Sequence, residues 1–271
     1  MPFARANGIS VYYELAGAGE RLLFISGTNG DLRRQRQLVE GPLTDHFEVL
    51  AYDQRGLGQT EVPPGPYTMA DYGDDAAALL DAVGWDRCAV IGVSFGGMVA
   101  QELAIGHPDR VGRLVLACTS SGGAGGSSYP LHELAAADPE AREALRFEIL
   151  DTRWDAAWRA AHPDLVRLIT AGMDGEGTEG LERPGTRLQL EARSHHDTAR
   201  RLGAIACPTL VCGGRFDGIA PPANSAFLAG AIPGARLALF DGGHIFFMQD
   251  GAALPAMVRF LQGDATVGTA P

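Results

Sequence analysis

From Leu22 onward, short apolar runs alternate with segments of helical periodicity, and no other feature of the chain restricts its fold as strongly. The runs Leu22–Ile25, Phe47–Tyr52, Cys88–Val93 and Arg113–Cys118 read as buried strands. Between them the pattern predicts a helix from Asp31 to about Leu43, a second over MADYGDDAAALLDAVGW that Thr68 can cap, and a third from Phe95 to about Ile105. Strands separated by helices pair in parallel through right-handed crossovers. The opening GISVYYELAGAGERLLFIS instead alternates apolar and polar residues around a glycine-rich turn, the pattern of antiparallel edge strands.

After Thr119 the rhythm stops. The glycine-serine stretch SSGGAGGSS opens a region, residues 120–202, with helical periodicity and no convincing strand. Strand signals return at Cys207–Cys212 and Ala235–Phe240, with helices near Pro222–Ala231 and Leu254–Leu261. The expected organisation is therefore an α/β core from residues 1–119 and 203–264, interrupted by a helical cap over 120–202. Residues 265–271 are expected to form a disordered tail.

Composition narrows the function classes. A chain of 271 residues with 46% hydrophobic and 20% charged residues is of ordinary globular type, with one domain as the default. The opening MPFARANGIS lacks the apolar core of a secretory signal and no stretch reaches the roughly 18 consecutive apolar residues of a spanning helix, so a cytoplasmic location away from membranes is expected. The net charge of −11 repels nucleic acid and anionic lipid alike. All 22 basic residues are arginine, which removes lysine Schiff-base chemistry. Cys88, Cys118, Cys207 and Cys212 sit in or beside apolar runs, as buried free thiols do.

The segment Gly92-Val93-Ser94-Phe95-Gly96 fits G-x-S-x-G and falls between a predicted strand and a predicted helix. A serine in so sharp a turn brings the flanking segments together closely enough that only glycine fits two residues to either side. Serine is a weak nucleophile at its normal pKa and needs a base, which in turn needs an orienting group. Asp217, in GGRFDGIAPP, and His244, in DGGH, each follow a predicted strand, and the carboxyl ends of parallel strands open on one face of a sheet. Ser26-Gly27-Thr28-Asn29-Gly30 also follows a strand; the amides of Thr28 and Phe95 are the expected oxyanion hole. Asp241 reads as a turn former. His195 and His196 are adjacent on the helical insertion and point apart, which argues against a metal site, while His46, His107, His132 and His162 read as surface residues.

Taken together, the SGTNG loop, DQRGLGQT, GVSFGG, GGRFDGIAPP and DGGH resemble the α/β-hydrolase superfamily across nearly the whole chain. The layout is similar to the branch containing 3-oxoadipate enol-lactonases, small carboxylesterases and meta-cleavage-product hydrolases. The resemblance implies a mostly parallel eight-stranded sheet with a cap after the sixth strand, and a structural role for Arg55 in bracing its loop. It also implies a serine esterase or lactonase acting on a small molecule as a monomer or homodimer, with no metal or organic cofactor. Asn29, Tyr129, Trp154 and Trp158 are candidate substrate contacts, the two tryptophans, four apart, expected on one helix face; Arg153 and Arg159 are read as solvated rather than as ligands of a substrate carboxylate. Three alternatives stay open: a C–C bond hydrolase using the same triad, a cofactor-free oxygenase or perhydrolase, and a slow-turnover ligand receptor.

Overall fold

The computed structural model describes residues 2–136, 138–173 and 183–269. Its strands are β1 (Phe3–Ala6), β2 (Ile9–Ala16), β3 (Glu20–Ile25), β4 (Phe47–Tyr52), β5 (Cys88–Val93), β6 (Val111–Ala117), β7 (Thr209–Gly214) and β8 (Arg236–Phe240). They form one eight-stranded sheet in the order β1-β2-β4-β3-β5-β6-β7-β8. The pairs β1–β2 and β2–β4 are antiparallel and the remainder parallel. The winding direction reverses between β3 and β5, so the loops after Ile25 and Val93 open into the crevice where α/β sheets place their ligands.

Helices cover both faces, which is why the central strands are apolar without alternation. Leu23, Leu50, Val90, Leu114 and Val211 pack toward α2 (Met69–Ala82) and α3 (Phe95–Gly106). Their neighbours Leu22, Val49, Ile91, Val115 and Leu210 face the opposite layer, with Met257 and Phe260 of the last helix, Ala253–Leu261. Helix α2 begins as its sequence requires: the Thr68 hydroxyl accepts from the Asp71 N–H, and the Asp71 carboxylate accepts from the Thr68 N–H.

Two expectations fail. The helix predicted from Asp31 to Leu43 is replaced by turns, a short helix α1 (Gln37–Glu40) and a 3₁₀ turn Pro42–Asp45. Asp53 accepts from the Leu32 N–H and Asp31 from the Arg33 N–H two residues on, an Asx-type turn that ties the start of the segment to the end of β4, and Gly41-Pro42 ends what remains. The tail is not disordered through Thr269: Val267 is buried in the core and the Thr269 and Leu237 backbones exchange hydrogen bonds of 2.9 Å. Residues 270 and 271 of that predicted tail lie outside the described residues.

Between β6 and β7 the chain forms α4 (Leu131–Ala136), α5 (Pro139–Leu150), α6 (Ala156–Ala161), α7 (Pro163–Met173) and α8 (Pro184–Ser194). Residues 137 and 174–182 of the predicted cap lie outside the described residues. This layer is bonded to the loops at the carboxyl ends of the strands. Gly218 N–H donates to Ile149 O (3.0 Å), His244 N–H to Leu150 O (2.6 Å) and Asn29 N–H to Gln189 Oε1 (2.9 Å).

The loop after β4 is held by an ion pair. Arg55 donates bidentately to Asp75 of α2, at 2.7 and 2.8 Å, with both side chains buried, and Asn7 donates to the same carboxylate. The Tyr67 ring lies 5.3 Å below the guanidinium. Removing one member leaves the other charged and buried, a loss of about 3–5 kcal/mol. Arg55→Ala should lower the unfolding free energy by that amount in urea titration, while the paired replacement Arg55→Met with Asp75→Leu should recover most of it. A single variant as stable as the parent would show that the pair does not brace the loop.

Candidate active site

Ser94 sits between β5 and α3 with φ 57° and ψ −118°, a conformation that L side chains rarely adopt. Its N–H is fixed on Ala117 O at 2.8 Å. The two glycines of the motif have distinct reasons. A Cβ at Gly96 would run into the carbonyl oxygens of Ile25 and Ser26, and one at Gly92 into the Gly96 carbonyl and Ala100. Together they let α3 start against β3, with the Ser94 side chain projecting at the strand ends.

Asp217 follows β7 and His244 follows β8, and the fold brings both to Ser94. Ser94 Oγ lies 2.9 Å from His244 Nε2, and His244 Nδ1 lies 3.0 and 2.9 Å from the two Asp217 oxygens. A carboxylate only accepts, so Nδ1 carries the proton and Nε2 is left to accept from the serine hydroxyl. Asp217 is itself held by the N–H groups of Ile219 and Ala220, both at 2.8 Å. The backbone hydrogen bonds that the Gly218 and His244 N–H groups donate to Ile149 O and Leu150 O fasten both loops to α5, a link that no local sequence signal could have revealed.

The Ser26–Gly30 segment flanks the serine: a Cβ added at Gly27 would lie 3.4 Å from the Ser94 Cβ. Gln54 secures the segment by donating to Ser26 O at 2.8 Å. Thr28 is half-buried and its hydroxyl has no hydrogen-bond partner among the described residues. Phe95 opens α3, its ring fully buried edge-on against Tyr72 at 5.0 Å. Asn29 has φ 59° and is tied to α8, its Oδ1 accepting from Thr186 at 2.9 Å, while its buried Nδ2 has no partner among the described residues. Sequence reading missed Gln54, Thr186 and Gln189, whose roles depend on contacts far along the chain.

Nearby, Asp53 receives the N–H groups of Leu32 and Gln59, yet burial raises its carboxyl to about 6.

The candidate cap contacts divide. Tyr129 is half-buried, its N–H donating to Ile219 O at 2.7 Å, so it meets the Asp217 loop. Trp154 precedes α6 rather than lying on it, because Asp155 caps that helix; its ring nevertheless stacks on Trp158 at 5.0 Å and packs on Phe147. Trp158 in turn stacks on His162 at 4.5 Å. The two tryptophans are thus joined within the cap. Arg153 is not merely solvated: it pairs with Asp151 and Asp241 and lies 4.0 Å over the Phe216 ring. Arg159 donates to Trp154 O. Asp241, exposed and paired with Arg153, does not touch the His244 imidazole through any hydrogen bond among the described residues.

His196, next to His195 at the end of α8, is 6% exposed, and neither ring nitrogen has a hydrogen-bond partner among the described residues. Burial pushes it down to about 4 from an ordinary 6.5. Below pH 6.5 the unfolded chain therefore binds a proton that the folded chain refuses, and stability falls as pH drops toward 4. The shift corresponds to roughly 3 kcal/mol across that window. His196→Gln should flatten the loss of unfolding free energy between pH 7 and 4 relative to the parent; identical slopes would contradict this.

A strained serine on a strand-to-helix turn, hydrogen-bonded to a histidine and through it to a buried aspartate, on a sheet of this order, defines the class. Residues 20–146 match the family profile described as alpha/beta hydrolase fold. Over 252 residues the chain is 31% identical to RutD of Azorhizobium caulinodans, a protein named for carbamate hydrolysis, covering 91% of this chain and 92% of that one. It is 30% identical over 244 residues to a poly(3-hydroxyalkanoate) depolymerase of Ectopseudomonas oleovorans, covering 89% and 84%. The solved enol-lactonase of Burkholderia xenovorans LB400 is similar with a TM-score of 0.78 and 27% identity, over 97% of this chain and all of that one. The chain belongs to the α/β-hydrolase fold family.

Proposed function

We propose that the protein hydrolyses a carboxylic ester or lactone of a small molecule through an acyl-enzyme on Ser94. The observation that carries this is the continuous hydrogen-bonded line from Asp217 through His244 to Ser94 Oγ, with each donor and acceptor in the sense acyl transfer needs. His244 Nε2 takes the hydroxyl proton as Oγ attacks the carbonyl carbon. The tetrahedral oxyanion rests on the Thr28 and Phe95 amides, and the proton passes to the departing alkoxide. Water, activated by the same imidazole, then releases the acid. Asp217 keeps the ring in one tautomer and offsets the charge it gains.

The test is covalent. A fluorophosphonate should add one phosphonyl group, found on the Ser94 peptide by mass spectrometry, and should abolish turnover of p-nitrophenyl acetate in proportion. Labelling elsewhere, or full turnover after stoichiometric labelling of Ser94, would reject the mechanism. Similarity to RutD supports a second reading, a carbamate carbonyl attacked by the same serine. A panel of p-nitrophenyl esters, lactones, carbamates and a coloured ring-cleavage diketone, ranked by kcat/KM, distinguishes these bonds; a carbamate or diketone ranked first would replace the ester.

A further inference from the structure

Where α8 ends against the loop that leaves β6 lies a cavity of about 160 Å³. Two of its lining residues lie on elements that also position the serine: Met98, on the first turns of α3, and Ser120, just beyond the Ala117 carbonyl that holds the Ser94 N–H. Its walls are fixed. Gln101 donates to Ser120 O at 3.1 Å, and Thr198 bonds to both Gln101 Oε1 and Ser121 O. In a protein of net charge −11, the described residues that line this cavity include an arginine, two histidines and four serines and no acidic residue.

Arg193 is the decisive residue. It is 7% exposed, and one terminal nitrogen donates to Ser128 Oγ and Tyr129 O, both at 2.8 Å. Among the described residues its buried Nε has no hydrogen-bond partner and no carboxylate forms an ion pair with it. Desolvation without an offsetting anion lowers this guanidinium to about 10, whereas the paired Arg55 and Arg201 are raised. A buried charge left unpaired is costly unless something completes it. His196 follows three residues on, just past the end of α8, its backbone N–H donating to Arg193 O at 3.1 Å, and its ring carries one N–H in the neutral form.

We infer that this cavity is a binding site for a carboxylate, received by the Arg193 guanidinium and the His196 imidazole with the Ser120 and Ser128 hydroxyls beside them. A planar anion accepts the Arg193 Nε–H that the protein leaves unused, and no acidic side chain among the described lining residues favours a cation in its place. The carboxylate has two possible sources: the remote end of the molecule being hydrolysed at Ser94, or a separate small acid that occupies the site alone. The site itself does not depend on Ser94 being the nucleophile.

Butyrate and its neutral isostere butyramide are the probes, titrated into the full-length protein by calorimetry. The imidazole NMR signals are followed in parallel, with that of His196 identified by its loss in His196→Gln. Butyrate should bind and shift the His196 signal, and butyramide should bind at least ~10-fold more weakly, as expected for losing a charge-assisted pair. Arg193→Met should weaken butyrate by a similar factor, and Arg193→Lys, which keeps the charge without the fork, by less. Equal affinity for the two probes, an unmoved His196 signal, or butyrate bound by Arg193→Met as by the parent would overturn the site. If Arg193 served structure alone, Arg193→Met would lower the melting temperature and leave butyrate affinity intact. Where the Met variant does not fold, the contrast between probes and the His196 signal decide on the parent protein. Competitive inhibition of p-nitrophenyl acetate turnover by butyrate places the substrate's own carboxylate there; bound butyrate without competition assigns a separate acid. Binding is read without turnover, so a failure of the acyl-enzyme reading leaves this result standing.

Discussion

Ser94→Ala should reduce kcat for p-nitrophenyl acetate by about 10⁶, with a melting temperature close to the parent's. The size follows from what the residue does and what its loss spares. Alanine removes only the oxygen that would bond to the carbonyl carbon; the turn at φ 57°, the Ser94 N–H bond to Ala117 O and the close fit of Gly92 and Gly96 need the backbone alone. Residual catalysis of about 10³ over water should persist if the Thr28 and Phe95 amides form the proposed oxyanion hole, which the substitution leaves in place. Turnover within tenfold of the parent would mean that water is activated directly or that another group attacks, and the acyl-enzyme would have to be abandoned.

The parts of this molecule that were legible in its sequence are those whose physics is local. Continuous apolar runs gave away strands buried on both faces, and Thr68 with Asp71 wrote the start of α2 into four residues. The elbow was legible for the same reason, since glycine at 92 and 96 answers a collision between segments that adjoin it. Asp217 and His244 could be picked out because each follows a strand, and topology alone brings such loops to one edge of the sheet. The Asp31–Leu43 segment misled because its apolar spacing is helical while its start is tied by an Asx-type turn and by the distant Asp53, and Gly41-Pro42 cuts it short. Trp154 misled in a similar way: spacing by four suggested a shared helix, but Asp155 starts the helix after it, and the rings meet by stacking instead. Arg193 and His196 could not be recognised at all. Nothing in EARSHHD distinguishes a buried arginine from a solvated one; only the packing of α8 on the loop after β6 takes both side chains out of water.

Asp217→Asn separates orientation from mere proximity, and the expected loss is about 10⁴ in kcat with little change in fold. The asparagine oxygen can still accept the Ile219 and Ala220 N–H groups that now bond to Asp217 Oδ1, so the loop keeps its shape. Its amide nitrogen then faces His244 Nδ1 as a donor. The imidazole must accept there, which transfers the ring proton to Nε2, and an N–H now points at Ser94 Oγ across the 2.9 Å where a lone pair is required. The serine hydroxyl loses its base although every heavy atom stays in place. Asp241→Asn is the matched control: it neutralises an exposed carboxylate three residues from the histidine and bonded to Arg153, and should leave kcat within about twofold. Should Asp241→Asn collapse activity while Asp217→Asn retains it, the acid of the triad has been misassigned, and the line of hydrogen bonds from β7 through β8 to β5 would not be the one that moves the proton.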